Sequence, residues 1–336
     1  MSPPAHAPWP SPRLVYSPRY NIGLLGIERL HPFDSRKYGR AWKLLRRRFG
    51  RRLGAFHATP RKAATRDDLL RVHSAEYLDK LRDPAFVARV IELPPLRYLP
   101  RPLLDYAVLR PMRYATAGTI LAAAEALAHG LSINLAGGYH HASPDHGHGF
   151  SAYADVALAV EHLRRTNALK ESDKIVYIDL DAHQGNGVAR CFESDQRVFI
   201  YDQYNEYIFP GDVRARRRID CDVPSPHNCA EADYLHALHT RLPPFLDGVT
   251  RTGTVGLAIY NAGTDPYTHD RLGGLRVSEE GILRRDQFVL DQLITRRLPT
   301  LVLPSGGYSR ESYQMLAATA AYALDRWGAV TADRPR

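Results

Sequence analysis

Residues 175–187 read IVYIDLDAHQGNG. Ile175 through Ile178 form an unbroken apolar and aromatic run, as in a strand buried on both faces. The run ends on Asp179, and Asp181 and His183 follow at two-residue spacing before a glycine-rich exit. Side chains two apart on an extended segment point the same way. Asp181 and His183 can therefore face one ligand at the strand's end. Ligands of open α/β sheets bind outside the carboxyl ends of the strands. This stretch thus indicates both a fold class and a place to look for a site.

Working outward, further strand-like runs lie at 22–26, 132–136, 174–180, 197–202, 255–261 and 300–304. Amphipathic or Ala-rich stretches at 114–129, 152–165, 230–242, 279–296 and 311–326 read as helices, the first stopping at Gly130. Strand–helix alternation from about residue 115 onward predicts one α/β domain with a mainly parallel sheet covered on both faces. No internal repeat or low-complexity linker divides the chain. The Pro-rich start has no signal-peptide core, so residues 1–18 read as a flexible lead-in and 19–330 as the domain. Pro94, Pro95, Pro100 and Pro102 read as a stiff surface loop.

The chain has 336 residues, 44% hydrophobic and 24% charged, enough for a large core. It holds no run of 18 apolar residues, so no membrane span is expected. Its three cysteines, Cys191, Cys221 and Cys229, form no CxxC, which points to a reducing cytoplasm rather than a disulfide or cysteine–zinc framework. The net charge of +9 is concentrated in clusters such as Arg46-Arg47-Arg48 and Arg216-Arg217-Arg218. Without an aromatic-interleaved motif or zinc finger, these read as solvated surface, and no specific nucleic-acid partner is expected.

Four strand exits carry chemistry. They are Gly137-Gly138-Tyr139-His140-His141, Asp181-Ala182-His183, Ala262-Gly263-Thr264-Asp265 and Ser305-Gly306-Gly307-Tyr308. Asp181, His183 and Asp265 form a hard-to-borderline ligand set suited to Zn²⁺, Fe²⁺ or Mn²⁺. Strand-end Asp and His also cap helices, so the DxH pair gains force only from its companions. His140 and His141 can exchange protons with a water beside the ion. Tyr308 can donate to a developing oxyanion. His146 and His148 read as loop residues able to bind metal adventitiously. Gly147-x-Gly149-x-x-Ala152 mimics a dinucleotide fingerprint but lacks the strand immediately before it.

These segments resemble the zinc-dependent histone deacetylases of the arginase/deacetylase superfamily. The likeness runs through ERLHPFDSRKYG (28–39), VLRPMRYATAGTI (108–120), NLAGGYHHASPDHGHGFSAYADVALA (134–159), IDLDAHQGNG (178–187), YNEYIFPGD (204–212), YNAGTDPYTHDRLGGL (260–275) and LPSGGY (303–308). DAHQGNG and SGGY are class IV-like spellings, and the chain looks like a bacterial member of that class. The resemblance implies a single α/β domain around a mostly parallel, about eight-stranded sheet. It implies Asp181, His183 and Asp265 as ligands of Zn²⁺, with Fe²⁺ the alternative in cells. It implies His140 and His141 as the catalytic pair, with Asp179 behind the first and Asn186 behind the second, where other classes have Asp. An amide supports a positive charge less than a carboxylate does, which leaves the second histidine less basic. Tyr308 matches the transition-state tyrosine. Gly138, Phe150 and Phe209, with Gly306 and Gly307, match the substrate tunnel. Asp179 and Asp202 fall near a structural K⁺ site.

The implied activity is hydrolysis of N-acyl-lysine in a protein or peptide. One of His140 and His141 takes a proton as water attacks, and His141 delivers it to the leaving amine. Class IV likeness implies a preference for long fatty acyl groups over acetyl. Three rivals stand beside it: an acetylpolyamine deacetylase, which needs an acidic tunnel mouth; an arginase-like dimanganese hydrolase, which needs more ligands; and a non-catalytic acyl-lysine binder.

Overall fold

The structure, a computed structural model, describes residues 9–23, 26 and 33–328. Eight strands form one sheet: β1 (Arg13–Val15), β2 (His57–Ala58), β3 (Leu131–Asn134), β4 (Lys174–Asp179), β5 (Val198–Asn205), β6 (Cys221–Ser225), β7 (Val255–Asn261) and β8 (Thr300–Leu303). Their order is β2-β1-β3-β8-β7-β4-β5-β6. Every pairing is parallel. The expected single α/β domain with helices on both faces is what the chain forms.

Strand alternation sorts the core. Ile175 and Tyr177 face α2 (Arg110–His129) and α3 (Asp155–Arg165), meeting Ala122, Ala126, Val156 and Val160. Val176 and Ile178 face the opposite layer of α1 (Lys37–Phe49), α4 (Glu231–Arg251), α5 (Glu279–Thr295) and α6 (Ser312–Trp327). β4 is thus buried on both sides, which explains its uninterrupted apolar run. Its last residue, Asp179, stands in register with Asp202 on β5 and Asn261 on β7. A polar row therefore begins where the apolar ladder ends.

Some expectations need correcting. Within the supposed lead-in, Arg13–Val15 is a strand inserted between β2 and β3, and Leu14 and Val15 are fully buried. Arg13 fixes it, pairing with Glu125 at 2.9 Å and donating to the Ala55 carbonyl at 2.8 Å. Residues 1–8 lie outside the described residues. The strand expected at 22–26 does not form at Ile22, Gly23 or Gly26; 24 and 25 lie outside the described residues, as do 28–32 of the first family-like segment. β6 escaped notice because it contains Pro224, which an edge strand tolerates. The Pro-rich loop is a 3-10 turn, Pro94–Tyr98, followed by a helical turn, Arg101–Leu104, with Leu96 and Leu104 buried.

No helix among the described residues is long and apolar enough to cross a membrane. Several clustered arginines are engaged in surface ion pairs: Arg214 with Glu193 at 2.7 Å, Arg216 with Asp222 at 2.7 Å, and Arg48 with Asp325 at 2.6 Å.

Candidate active site

The exits of β3, β4, β7 and β8 converge. Asp181, His183 and Asp265 are buried, and each offers a ligand atom within 4.8 Å of the others. His183 Nδ1 lies 3.0 Å from Asp181 Oδ1 and 2.9 Å from Asp265 Oδ2. Backbone amides hold the outer oxygens: Gly306 N–H donates to Asp181 Oδ2 and Ala182 N–H to Asp265 Oδ1, both at 2.8 Å. Glycine is required at 306, where a Cβ would sit 2.5 Å from oxygens of both Asp181 and Asp265.

Charge here is set by burial and crowding. Burial, followed by the charge of Asp181, pushes Asp265 up to about 7. Burial opposes ionisation of Asp181 too, but His140 and His183 hold it well below the usual carboxylate range. Burial likewise opposes a charge on His183, yet its bonds to both carboxylates keep its pKa at about 10. The cluster attracts positive charge strongly. Two carboxylates and an imidazole fit one divalent Zn²⁺, Fe²⁺ or Mn²⁺ ion.

A buried cation braces the ligand loops from below. Arg285 on α5 donates to the carbonyls of Leu180 (3.0 Å) and Gly263 (2.7 Å), next to the two ligand-bearing segments. Asp286 pairs with it at 2.7 Å and accepts from the Tyr260 and Thr319 hydroxyls.

His140 and His141 are both buried, with ring centroids 4.0 Å apart. The Gly137-Gly138 turn bends them together. Both glycines have left-handed φ angles, and Asp155 pins the turn by accepting from the amides of Gly138 and Tyr139 at 2.9 Å. His140 Nδ1–H donates to Asp179 Oδ2 at 2.8 Å. Asp179 also accepts from the Tyr177 hydroxyl, Asn261 Nδ2 and the Asp181 amide. Burial lowers the proton affinity of His140, but Asp179 and then Asp181 more than compensate and hold its pKa at about 9. His141 Nδ1–H instead donates to Asn186 Oδ1 at 2.9 Å. Burial, and then the neighbouring His140 and His183, push His141 well below the usual imidazole value.

Tyr308 is buried, its ring 5.9 Å from that of His183. Burial, followed by the nearby Asp181 and Asp265, raises its pKa well above 10, so the hydroxyl remains a donor. Asp270 holds its backbone amide at 2.6 Å. Lys37, wholly buried, donates to the carbonyls of Ser305 and Gly306 at 2.8 and 3.0 Å; burial lowers its pKa to about 8.

A cavity of about 60 Å³ opens between Gly138, His140, Phe150, Gly306 and Tyr308, backed by Ile22, Phe33, Tyr38, Ile91 and Met112. Phe150 stands 5.6 Å from Tyr308, and the half-exposed Phe209 5.1 Å from His141. Gly307 does not line this cavity: a Cβ there would strike the hydroxyls of Thr264 and Ser312. Asp202 is fully buried beside Asp179; its Oδ2 accepts from the Gly185 amide at 2.9 Å, while its Oδ1 has no partner among the described residues.

Residues 31–324 match the sequence profile described as the Histone deacetylase domain. "Histone deacetylase 2" of Arabidopsis thaliana is 39% identical over 310 residues, covering 90% of this chain and 76% of that protein. This chain belongs to the histone deacetylase family. Among solved structures, the HDA15 HD domain superposes with a TM-score of 0.71 at 19% identity, covering 94% of this chain and 90% of that one. An HDAC homolog from Aquifex aeolicus gives 0.70 at 22%, covering 94% and 84%. These two likenesses speak for the fold. Family membership supports a deacetylase-type hydrolase.

Several site residues went unnoticed in the sequence: Lys37, Asp155, Asp270, Arg285 and Asp212; His148 was read only as a loop residue able to bind metal adventitiously. Asn186 Nδ2 lies 3.1 Å from His148 Nε2 and 3.5 Å from Asp212 Oδ2. Lys37, His148, Asp155, Asp212 and Asp270 each sit inside a quoted family-like segment, so their position was a usable signal. Arg285 lies in an ordinary amphipathic helix and gave none.

Proposed function

We propose that the chain is a metal-dependent lysine deacylase acting on N-acyl-lysine of proteins or peptides. The observation that carries this reading is the meeting, at one end of the sheet, of two differently supported histidines, a buried Asp–His–Asp group and a protonated tyrosine. Asp181, His183 and Asp265 would hold a divalent ion, Zn²⁺ or in cells Fe²⁺, which would supply Lewis acidity to the acyl carbonyl and the attacking water. His141, neutral and with Nδ1–H committed to Asn186, takes the water's proton at Nε2 and delivers it to the leaving amine. His140, kept cationic beside Asp179, adds positive charge near the developing anion. The Tyr308 hydroxyl donates to the oxyanion. Lys37 and Asp270 hold the Tyr308 loop in place. Gly138, Phe150 and Phe209 flank the acyl-lysine stem. The products are a carboxylate and a free amine.

The finer reading is a class IV-like enzyme preferring long acyl chains. The DAHQGNG and SGGY spellings and the apolar Ile22–Phe33–Ile91–Met112 wall support it. A cavity of about 60 Å³ accommodates an acetyl group, so a long chain requires that wall to move. The unpartnered Asp202 Oδ1 beside Asp179 supports a structural K⁺ there. Three free cysteines suit a cytoplasmic protein. A second reading, deacetylation of a small cationic amine, is favoured by Glu92, exposed and close enough for its charge to act on Tyr308.

The test is metal-loaded protein with lysine peptides from acetyl to myristoyl and with acetylated polyamines, with and without chelator. Chelator-sensitive release from the peptides, abolished by Tyr308→Phe, is expected. Release from polyamines alone selects the second reading. No release from any substrate leaves a non-catalytic acyl-lysine binder.

A further inference from the structure

A carboxylate and an amide of the same shape make different demands. A carboxylate accepts a hydrogen bond whichever way it is turned. An amide accepts only through its oxygen, and its two ends are nearly equal in size. With Asn186 behind His141, something must decide which end the histidine meets. If the NH₂ group faced His141 Nδ1, the proton of the neutral ring would move to Nε2, the atom needed to receive the water's proton. A catalytic imidazole held in the wrong tautomer can cost on the order of 10⁴ in kcat.

The Asn186 backbone cannot withdraw to relieve the choice. A Cβ on the next residue, Gly187, would fall 2.3 Å from the His141 carbonyl carbon and 2.5 Å from the Ala142 oxygen. Val188 N–H donates to the His140 carbonyl at 3.1 Å. Only the amide's orientation remains open.

We propose that Asp212 and His148 are positioning residues that lock the Asn186 amide with its oxygen toward His141, holding His141 as the Nδ1–H tautomer. The inference rests on the reading of His141 as proton carrier. Asp212 presents Oδ2 to Asn186 Nδ2 at 3.5 Å, and His148 presents Nε2 at 3.1 Å. Turned over, the amide would set its oxygen against the Asp212 carboxylate. That carboxylate cannot swing away. Arg190 Nε donates to Oδ2 at 2.7 Å, and the amides of Arg214 and Ala215 donate to Oδ1 at 3.1 and 3.0 Å. Its own amide donates to Gln184 Oε1 at 2.9 Å. His148 packs edge-on against Phe209, ring centroids 5.1 Å apart. Burial, then His146, lower its pKa to about 4, so the ring is neutral at neutral pH, and with its proton on Nδ1 it offers Nε2 as the acceptor for Asn186 Nδ2. The negative charge absent at position 186 is thus present one residue farther out, acting through the amide.

The test separates positioning from architecture. Asp212→Ser keeps a competent helix cap but removes the carboxylate facing Asn186; His148→Phe removes the acceptor. Each is expected to lower kcat roughly tenfold or more, with KM for the best acyl peptide unchanged. In ¹⁵N-histidine-labelled, zinc-loaded protein, the His141 Nδ1–H signature should give way to a mixture of tautomers. The decisive arm repeats both substitutions in an Asn186→Asp background. A carboxylate at 186 needs no orienting, so their effect on kcat there should fall below twofold. An equal loss in both backgrounds, or an unchanged tautomer spectrum in both variants, overturns the proposal. If one variant does not fold, the other carries both readouts. If the unsubstituted chain cleaves no substrate, the deacylase reading fails by itself, and the tautomer spectra alone decide the locking.

Discussion

His140 and His141 are neighbours in sequence, with rings 4.0 Å apart, yet they rest on opposite supports. Behind His140 stands Asp179, a buried carboxylate with four donors around its two oxygens. Behind His141 stands a neutral amide, with the Asp212 carboxylate beyond it. The first support holds a proton on its histidine; the second leaves the proton affinity low. One carboxyl-to-amide difference is enough to divide labour between two otherwise similar imidazoles, because burial magnifies whatever charge lies nearest.

Removing each ring is the strongest way to break this comparison. His141→Ala should lower kcat by about 10²–10⁴-fold, the usual range for a positioned acid–base group. His140→Ala should lower it less. Steady-state assays on the best acyl peptide measure both, and equal losses would mean that the pair shares the transfer. Removing the supports is next. Asp179→Ala strands buried donors and should cost about 3–5 kcal/mol of unfolding free energy. Asn186→Ala frees one histidine donor and should cost only about 1–3 kcal/mol. Urea titrations at neutral pH give both values.

His73 tests what a buried neutral imidazole does to stability. Its Nδ1–H donates to the Pro144 carbonyl at 3.2 Å, its Nε2 accepts from the Ala154 amide at 3.0 Å, and burial depresses its pKa to about 4. An unfolded histidine protonates near 6.5, so between these values the unfolded chain binds the extra proton. The contribution is complete above about pH 6.5 and is lost as pH falls toward 4, by on the order of 2–3 kcal/mol. Urea midpoints at pH 7 and 4.5 should separate in the native chain, and His73→Gln should narrow the gap. The smallest effect concerns Asn186→Asp. A new anion beside His141 raises its proton affinity, so the acidic limb of kcat/KM should move to higher pH by about one unit. A fixed limb would mean that another group controls it.

Much of this was legible in the sequence. β4, β7 and β8 announce themselves by apolar runs, and their exits point to Asp181, His183, Asp265 and Tyr308. β1 and β2 are too short to show a period. His148 was read as a loop residue and Asp212 was given no role, because what they do depends on Asn186, 38 and 26 positions away. Lys37 and Arg285 act on backbone carbonyls, contacts that leave no compositional trace.

The central position of β8 has a consequence for biosynthesis. Last in sequence among the described strands, it lies between β3 and β7. Until it emerges, the nascent chain has only two sheet fragments to assemble. One carries the histidine pair, the other the Asp–His–Asp group. The strand that joins them also brings Gly306, whose amide holds Asp181, and Tyr308. A chain that stopped short of residue 300 would lack the strand that joins the two fragments, and its β3 and β7 edges would be exposed. Joining of the sheet and assembly of the site arrive with the same strand.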